Sequence, residues 1–173
     1  MKPLIIVESP AKCKKIESFL DNKYNCVASF GHICELKDGL KCIDIDNNFK
    51  PKFSMSNNKN LSKLKTSIKN AKEVYLATDD DREGEAIAWH ICRVFKLPIQ
   101  TTKRIIFHEI TKTAIVNALK SPGVLDMNKV NAQLSRLVLD RLVGFTVSPV
   151  LWKHISRKSG LSAGRCQTPA LRL

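Results

Sequence analysis

The residues best able to do chemistry stand together in Asp79-Asp80-Asp81-Arg82-Glu83-Gly84-Glu85, five carboxylates within seven residues with only Arg82 among them. Like charges this close repel, and a chain tolerates them where a cation supplies the missing positive charge. Hard carboxylate oxygens suit Mg²⁺, which keeps several waters and takes one or two carboxylates plus substrate phosphates. The same acids also have a structural reading, with Asp79 or Asp81 capping a helix whose positive end favours acids. A short motif by itself does not choose between the two.

The flanking residues say what positions the cluster. Val74-Tyr75-Leu76-Ala77 is short and apolar and reads as a buried strand, while Ile87, Ile91, Val94 and Phe95 recur at helical spacing. The acids therefore sit where a central strand hands over to a helix spanning residues 83–95, the edge at which open α/β sheets bind ligands. Leu4-Ile5-Ile6-Val7 predicts a second strand covered on both faces. It runs into Glu8-Ser9-Pro10-Ala11-Lys12, where Ser9 suits an N-cap and Pro10 the first position of a helix that carries Cys13, Ile16 and Leu20 and ends near Asp21. If the two strands are parallel neighbours, Glu8 shares one sheet edge with the acidic cluster. Lys12 falls in a first helical turn, where the dipole mildly disfavours a cation. It is either an ordinary exposed lysine or one aimed at a phosphate above that edge.

Further strands are expected over residues 26–30 and 104–107, with an irregular polar excursion over 37–58 and a basic helix marked by Leu61, Leu64 and Ile68. Thr111 or Thr113 can cap a helix carrying Ile115, Ala118 and Leu119, stopped by Ser121-Pro122-Gly123. Alternating strands and helices predict an α/β domain with a doubly wound parallel sheet over residues 1–121. From Asp126 the pattern is helical only, so residues 122–173 begin a second, all-helical domain. Val130, Leu134, Leu137 and Val138 make its apolar face; Lys129, Gln133, Arg136 and Asp140 make a polar stripe with an Arg136–Asp140 pair one turn apart. Ser148-Pro149 predicts the start of another helix through Leu151, Trp152 and Ile155. The small residues from Gly160 to Gln167 would let backbone approach a ligand closely. Ala170-Leu171-Arg172-Leu173 reads as a helix cut off mid-turn, and the chain as a fragment.

A formal net charge of +13 and a pI near 9.6 favour a polyanionic partner. Seven lysines and no acid between Asn47 and Lys72 would add salt-dependent attraction to phosphate. The six cysteines show no CxxC pair and no histidine at finger spacing, which argues against zinc and for reduced thiols in an intracellular protein. No apolar run approaches the ~20 residues of a membrane span.

Glu8 together with Asp79-x-Asp81-x-Glu83 resembles the toprim domain shared by topoisomerases, primases and some nucleases. Val7-Glu8-Ser9-Pro10-Ala11-Lys12, Phe30-Gly31-His32-Ile33, Ala77 through His90, Phe107-His108-Glu109-Ile110-Thr111, Val130-Asn131-Ala132-Gln133 and Leu161-Ser162-Ala163-Gly164-Arg165 with Gln167 occur in the order found in type IA DNA topoisomerases. They look closer to the bacterial topoisomerase I branch than to topoisomerase III. The resemblance implies an intracellular enzyme, cytoplasmic or nucleoid-associated and monomeric, that relaxes negatively supercoiled DNA. In that family a tyrosine cuts a single-stranded segment through a 5′-phosphotyrosyl link. By matching position, Glu8 is the proton donor and base, and Lys12 stabilises the reacting phosphate. Asp79, Asp81 and Glu83, with Glu8 beside them, hold Mg²⁺. His32, Arg136, Asp140, Arg141, Lys153, Ser162, Gly164, Arg165 and Gln167 match positions along the DNA path. Arg157-Lys158-Ser159-Gly160 reads as an insertion at that groove.

The family's nucleophilic tyrosine lies in a later domain, and neither Tyr24 nor Tyr75 matches it. The 173-residue chain is thus expected to bind DNA and Mg²⁺ weakly without cutting. Three other readings stand beside this one. A primase or endonuclease of the toprim class would share the acids but lack Gly31-His32-Ile33 and the segment from Ser162 to Gln167. A noncatalytic basic DNA-binding module would use the acids only as caps. A reverse gyrase would carry a helicase ahead, against which the start at Met1 directly before the first strand counts.

Overall fold

The computed structural model describes residues 1–56, 60–156, 160–167 and 170. The insertion-like residues 157–159 and most of the expected terminal helix, 171–173, lie outside them. Two compact units form: residues 1–35 with 55–131, and residues 36–54 with 132–173.

The first unit is built on a parallel sheet of four strands. Leu4–Val7 (β1) pairs on one side with Asn25–Ala28 (β2) and on the other with Val74–Leu76 (β7), which pairs in turn with Lys103–Arg104 (β8). The intervening short strands are Cys34–Leu36 (β3), Ile43–Asp44 (β4), Lys50–Pro51 (β5) and Phe53–Met55 (β6). The helices are Pro10–Phe19 (α1), Leu61–Lys69 (α2), Arg82–Phe95 (α3), Lys112–Lys120 (α4) and Met127–Leu151 (α5), whose first residues belong to this unit. All four side chains of β1 are at most 1% exposed, as a continuous apolar run requires when helices flank the sheet. Each such burial contributes about 1.5–3 kcal/mol. Ile5 and Val7 pack with Ile16 of α1, Ile115 of α4, Tyr75 and Ile105. No helix among the described residues is long and apolar enough to cross a membrane.

Three local expectations need correction. The strand read over residues 104–107 pairs only at Lys103–Arg104; Ile105 still donates to Leu76 (2.9 Å), but beyond it the partner strand has ended and Ile106 is exposed. Arg104 instead exchanges backbone hydrogen bonds with Gly123, both 2.8 Å. Pro149 starts no new helix. It lies inside α5, whose end is two residues away, so the donor it lacks costs little helix, and a π-helical turn, Trp152–Ser156, follows. The described part of the excursion, residues 37–56, is more ordered than expected. Within the second unit a 3₁₀ turn, Gly39–Cys42, leads to the antiparallel pair β4–β5, and Cys42 and Ile43 pack with Val138 and Leu142 of α5.

Candidate active-site edge and nucleic-acid interface

Parallel pairing of β1 with β7 in register places the residues after both strands side by side, which meets the condition set in the sequence for Glu8 to share an edge with the acidic cluster. The Glu8 carboxylate accepts a hydrogen bond from the backbone N–H of Asp79 at 2.9 Å. Ser9 caps α1, accepting from Ala11 N–H, and α1 presents Lys12, whose Nζ forms an ion pair with the Asp79 carboxylate. His32 comes from the loop after β2. That loop is tied to β1 by Ser29 N–H donating to Val7 (2.8 Å) and Phe30 N–H to the Glu8 carbonyl (2.9 Å), and Gly31 takes the left-handed turn (φ 81°). It sets His32 Nε2 at 2.9 Å from Glu83 Oε1. Glu8, Lys12, His32, Asp79 and Glu83 are thus gathered at one edge.

The five carboxylates do not share one fate. Asp81 realises the structural reading: it is the N-cap of α3 and accepts from Gly84 N–H at 2.7 Å. Asp80 pairs with Lys129 at 2.8 Å and lies 3.8 Å from His108. The Lys129 hydrogen bond holds Asp80 below the ordinary carboxylate range and raises Lys129. Glu85 leaves the cluster altogether. It is buried against Arg104 (Oε2 to Nε, 2.9 Å), and its other oxygen accepts from Asp126 N–H at 2.7 Å. Arg104 also donates to the carbonyls of Leu76 (3.3 Å), Ile105 (2.8 Å) and Asp79 (2.9 Å). The repulsion expected of five acids is therefore relieved by Lys12, Lys129 and Arg104 as well as by separation.

Gly84 explains how tightly α3 meets the loop. A Cβ there would lie 2.3 Å from the Asp79 carbonyl oxygen and 2.8 Å from its nitrogen, and the Gly84 carbonyl accepts from Thr78 Oγ1 at 2.7 Å. Behind it His90 is 2% exposed, and burial, then His32 and Arg93, lowers its pKa to about 4.

Exposed carboxylate oxygens on Asp79, Asp81 and Glu83, with Glu8 alongside, are the hard donors that fit Mg²⁺. As folded, Asp79, Asp81 and Glu83 each commit an oxygen to Lys12, Gly84 N–H and His32 respectively. Among the described residues no three acids, histidines or cysteines converge closely enough to form a ready-made ion site.

In the second unit Asp140 organises the cations. Arg136 Nε lies 3.7 Å from one oxygen, giving the expected one-turn pair, and Arg165 bonds the other. Arg141 donates to the Leu36 carbonyl (2.8 Å) and lies over the Phe145 ring. Gln133, read as part of an exposed polar stripe, is buried. Ser162 donates to Gln167 (3.1 Å), Gly164 lies against the Gln167 side chain, and Ala163 N–H is held by Ser148 (2.9 Å). Lys153 is exposed on the π-helical turn.

Sequence reasoning missed Arg104, Glu85 as its partner, and Lys129 as the partner of Asp80. The signal for Arg104 was present, since a cation heading the apolar Ile105-Ile106-Phe107 needs a buried acid.

Residues 3–110 match the model of the Toprim domain, and residues 124–173 match that of a DNA topoisomerase domain. The chain belongs to the type IA DNA topoisomerases. The full-length topoisomerase I of Thermotoga maritima, solved in a monoclinic crystal form, superposes with a TM-score of 0.87 at 47% identity over 98% of this chain. This chain spans 29% of the Thermotoga topoisomerase.

Proposed function

We propose that the protein to which this chain belongs relaxes negatively supercoiled DNA by transient cleavage of one strand, and that the Glu8 edge carries the chemistry. The observation behind this reading is the convergence of Glu8, Lys12 and Asp79 at the ends of two paired strands. Glu8 spends one oxygen on Asp79 N–H and keeps the other to give a proton to the leaving 3′-oxygen and to take it back on religation, a role that needs a positioned carboxyl more than a strong acid. Lys12 exchanges Asp79 for the reacting phosphate and stabilises its charge. Glu8, Asp79, Asp81 and Glu83 would hold Mg²⁺, which supplies positioning and charge neutralisation for religation. Residues 1–121 act as the toprim domain and 122–173 as the start of a helical DNA-binding domain. His32, Arg136, Asp140, Arg141, Lys153, Ser162, Gly164, Arg165 and Gln167 contact the single-stranded segment. Arg136 and Arg165 trade Asp140 for phosphates.

The 173-residue chain has no matching nucleophilic tyrosine and does not cleave DNA alone. A covalent phosphotyrosyl adduct on it would contradict this.

The deciding experiment is relaxation of negatively supercoiled plasmid, with Mg²⁺, by a form carrying the later domains, comparing wild type with Glu8→Ala. Relaxation lost in the variant supports the reading. Primer synthesis or simple nicking by the wild type would move the function to another toprim enzyme.

A further inference from the structure

Away from the strand-end edge, α1, β2 and the start of α2 enclose a cavity of about 170 Å³ lined by Cys13, Cys26, Lys14, Lys63, Phe30 and Leu64. Cys13 comes from α1 and Cys26 from the middle of β2, and both are half-buried and reduced. The other thiols differ: Cys34, Cys42 and Cys92 are buried, and Cys166 is exposed.

We propose that Cys13 and Cys26 form a peroxide-reactive dithiol site that closes to a disulfide between α1 and β2. Their places in the fold set their roles: Cys13 lies in the first turn of α1 between Lys12 and Lys14, where the helix end and the cations favour a thiolate, and Cys26 lies mid-strand. The Cys26 thiol donates toward Cys13 and, helped by Lys63 against burial and Glu17, holds Cys13 below its ordinary value; the same contact, with burial, pushes Cys26 up. Cys13 is the nucleophile and Cys26 the resolving thiol. The Cys13 thiolate attacks one oxygen of hydrogen peroxide, the O–O bond breaks, and the departing hydroxide takes a proton to become water, leaving a sulfenic acid. The Cys26 sulfur then attacks the sulfenic sulfur, its proton leaving with the displaced hydroxide as a second water. The sum is two thiols and one peroxide giving one disulfide and two waters. Lys14 and Lys63 at the cavity favour the anionic forms along this path. Cys13 directly follows Lys12, so the new bond would anchor the turn that presents that lysine.

The test treats the full chain, in a Cys166→Ser background, with hydrogen peroxide and maps the thiols by mass spectrometry. Loss of two hydrogens with a Cys13–Cys26 cross-linked peptide is the expected product. Cys26→Ser should instead accumulate a dimedone-trapped sulfenic acid at Cys13, and Cys13→Ser should show neither. The map of the unsubstituted pair stands even if a variant folds poorly. The proposal is overturned if peroxide leaves both thiols free, if Cys34, Cys42 or Cys92 reacts first, or if Cys26 in the Cys13→Ser variant oxidises as fast as Cys13 in its counterpart.

Discussion

The strand-end edge of the first unit and the arginine cluster of the second each centre on one aspartate, and they are held in opposite ways. Asp79 is fixed through its backbone: its N–H is bound by Glu8, its carbonyl by Arg104, and Gly84 packs against both. Arg104 and its partner Glu85 are 1% and 2% exposed. Asp140 has its backbone inside α5, but the cluster around it is held only by side chains, its carboxylate lying between Arg136 and Arg165, all three a third to nearly half exposed. The difference teaches which geometry folding dictates. A loop tied down by buried donors keeps its shape whatever binds, whereas a cluster of exposed charges can be rearranged by salt or by a phosphate backbone.

Breaking the buried pair should have the largest effect. Arg104→Ala leaves Glu85 charged and unpaired in the interior, a loss of about 3–5 kcal/mol readable as a lower urea midpoint. Converting both partners to apolar residues, Glu85→Leu with Arg104→Met, should recover much of that stability without restoring the hold on Asp79. Equal losses in the single and double variants would mean the pair is not what anchors the fold there.

The next effect is a pH dependence. His90 has a folded pKa of about 4, below its ordinary 6.5, so the unfolded chain binds the extra proton first. Stability contributed by its neutral burial is complete above about pH 6.5 and falls as pH drops toward 4, by up to about 3 kcal/mol. Denaturation midpoints of wild type and His90→Gln should diverge in slope across that window. Parallel slopes would count against a buried neutral histidine.

Gly84→Ala comes third. Its Cβ meets backbone rather than a flexible side chain, so the loop or the first turn of α3 must shift, at about 1–3 kcal/mol. An Asp79 amide resonance that moves in this variant would sharpen the picture of a packed loop; an unmoved one would break it. Smallest is Asp140→Ala, which should leave the denaturation midpoint within error while freeing Arg136 and Arg165. A large loss of stability there would erase the contrast between the two regions.

The sheet was legible because its signals are local. Leu4-Ile5-Ile6-Val7 and Val74-Tyr75-Leu76 are continuous apolar runs, and Ser9, Thr111 and Asp81 are cap residues where helices begin. With β1 and β7 paired as parallel neighbours, strand direction then brings Glu8 beside Asp79. What escaped depends on distant pairing. Nothing near Glu85 says that it turns inward to Arg104, 19 residues on, or that Lys129 answers Asp80 across 49 residues. The segment from Leu36 to Ser54 looked irregular because its strands are two or three residues long and its order comes from packing on α5. Pro149 misled because a proline near a helix end resembles a helix start.

The most direct test of the edge as a working cation site, rather than a set of helix caps, is calorimetric titration of the chain with Mg²⁺. Wild type would be compared with the Asp79→Asn, Asp81→Asn double variant. Asparagine still caps α3, so the helix survives while two negative charges are removed. Binding by the wild type and its loss in the variant are the expected result. Unchanged binding in the variant would contradict it and leave Asp79 and Asp81 as structural residues.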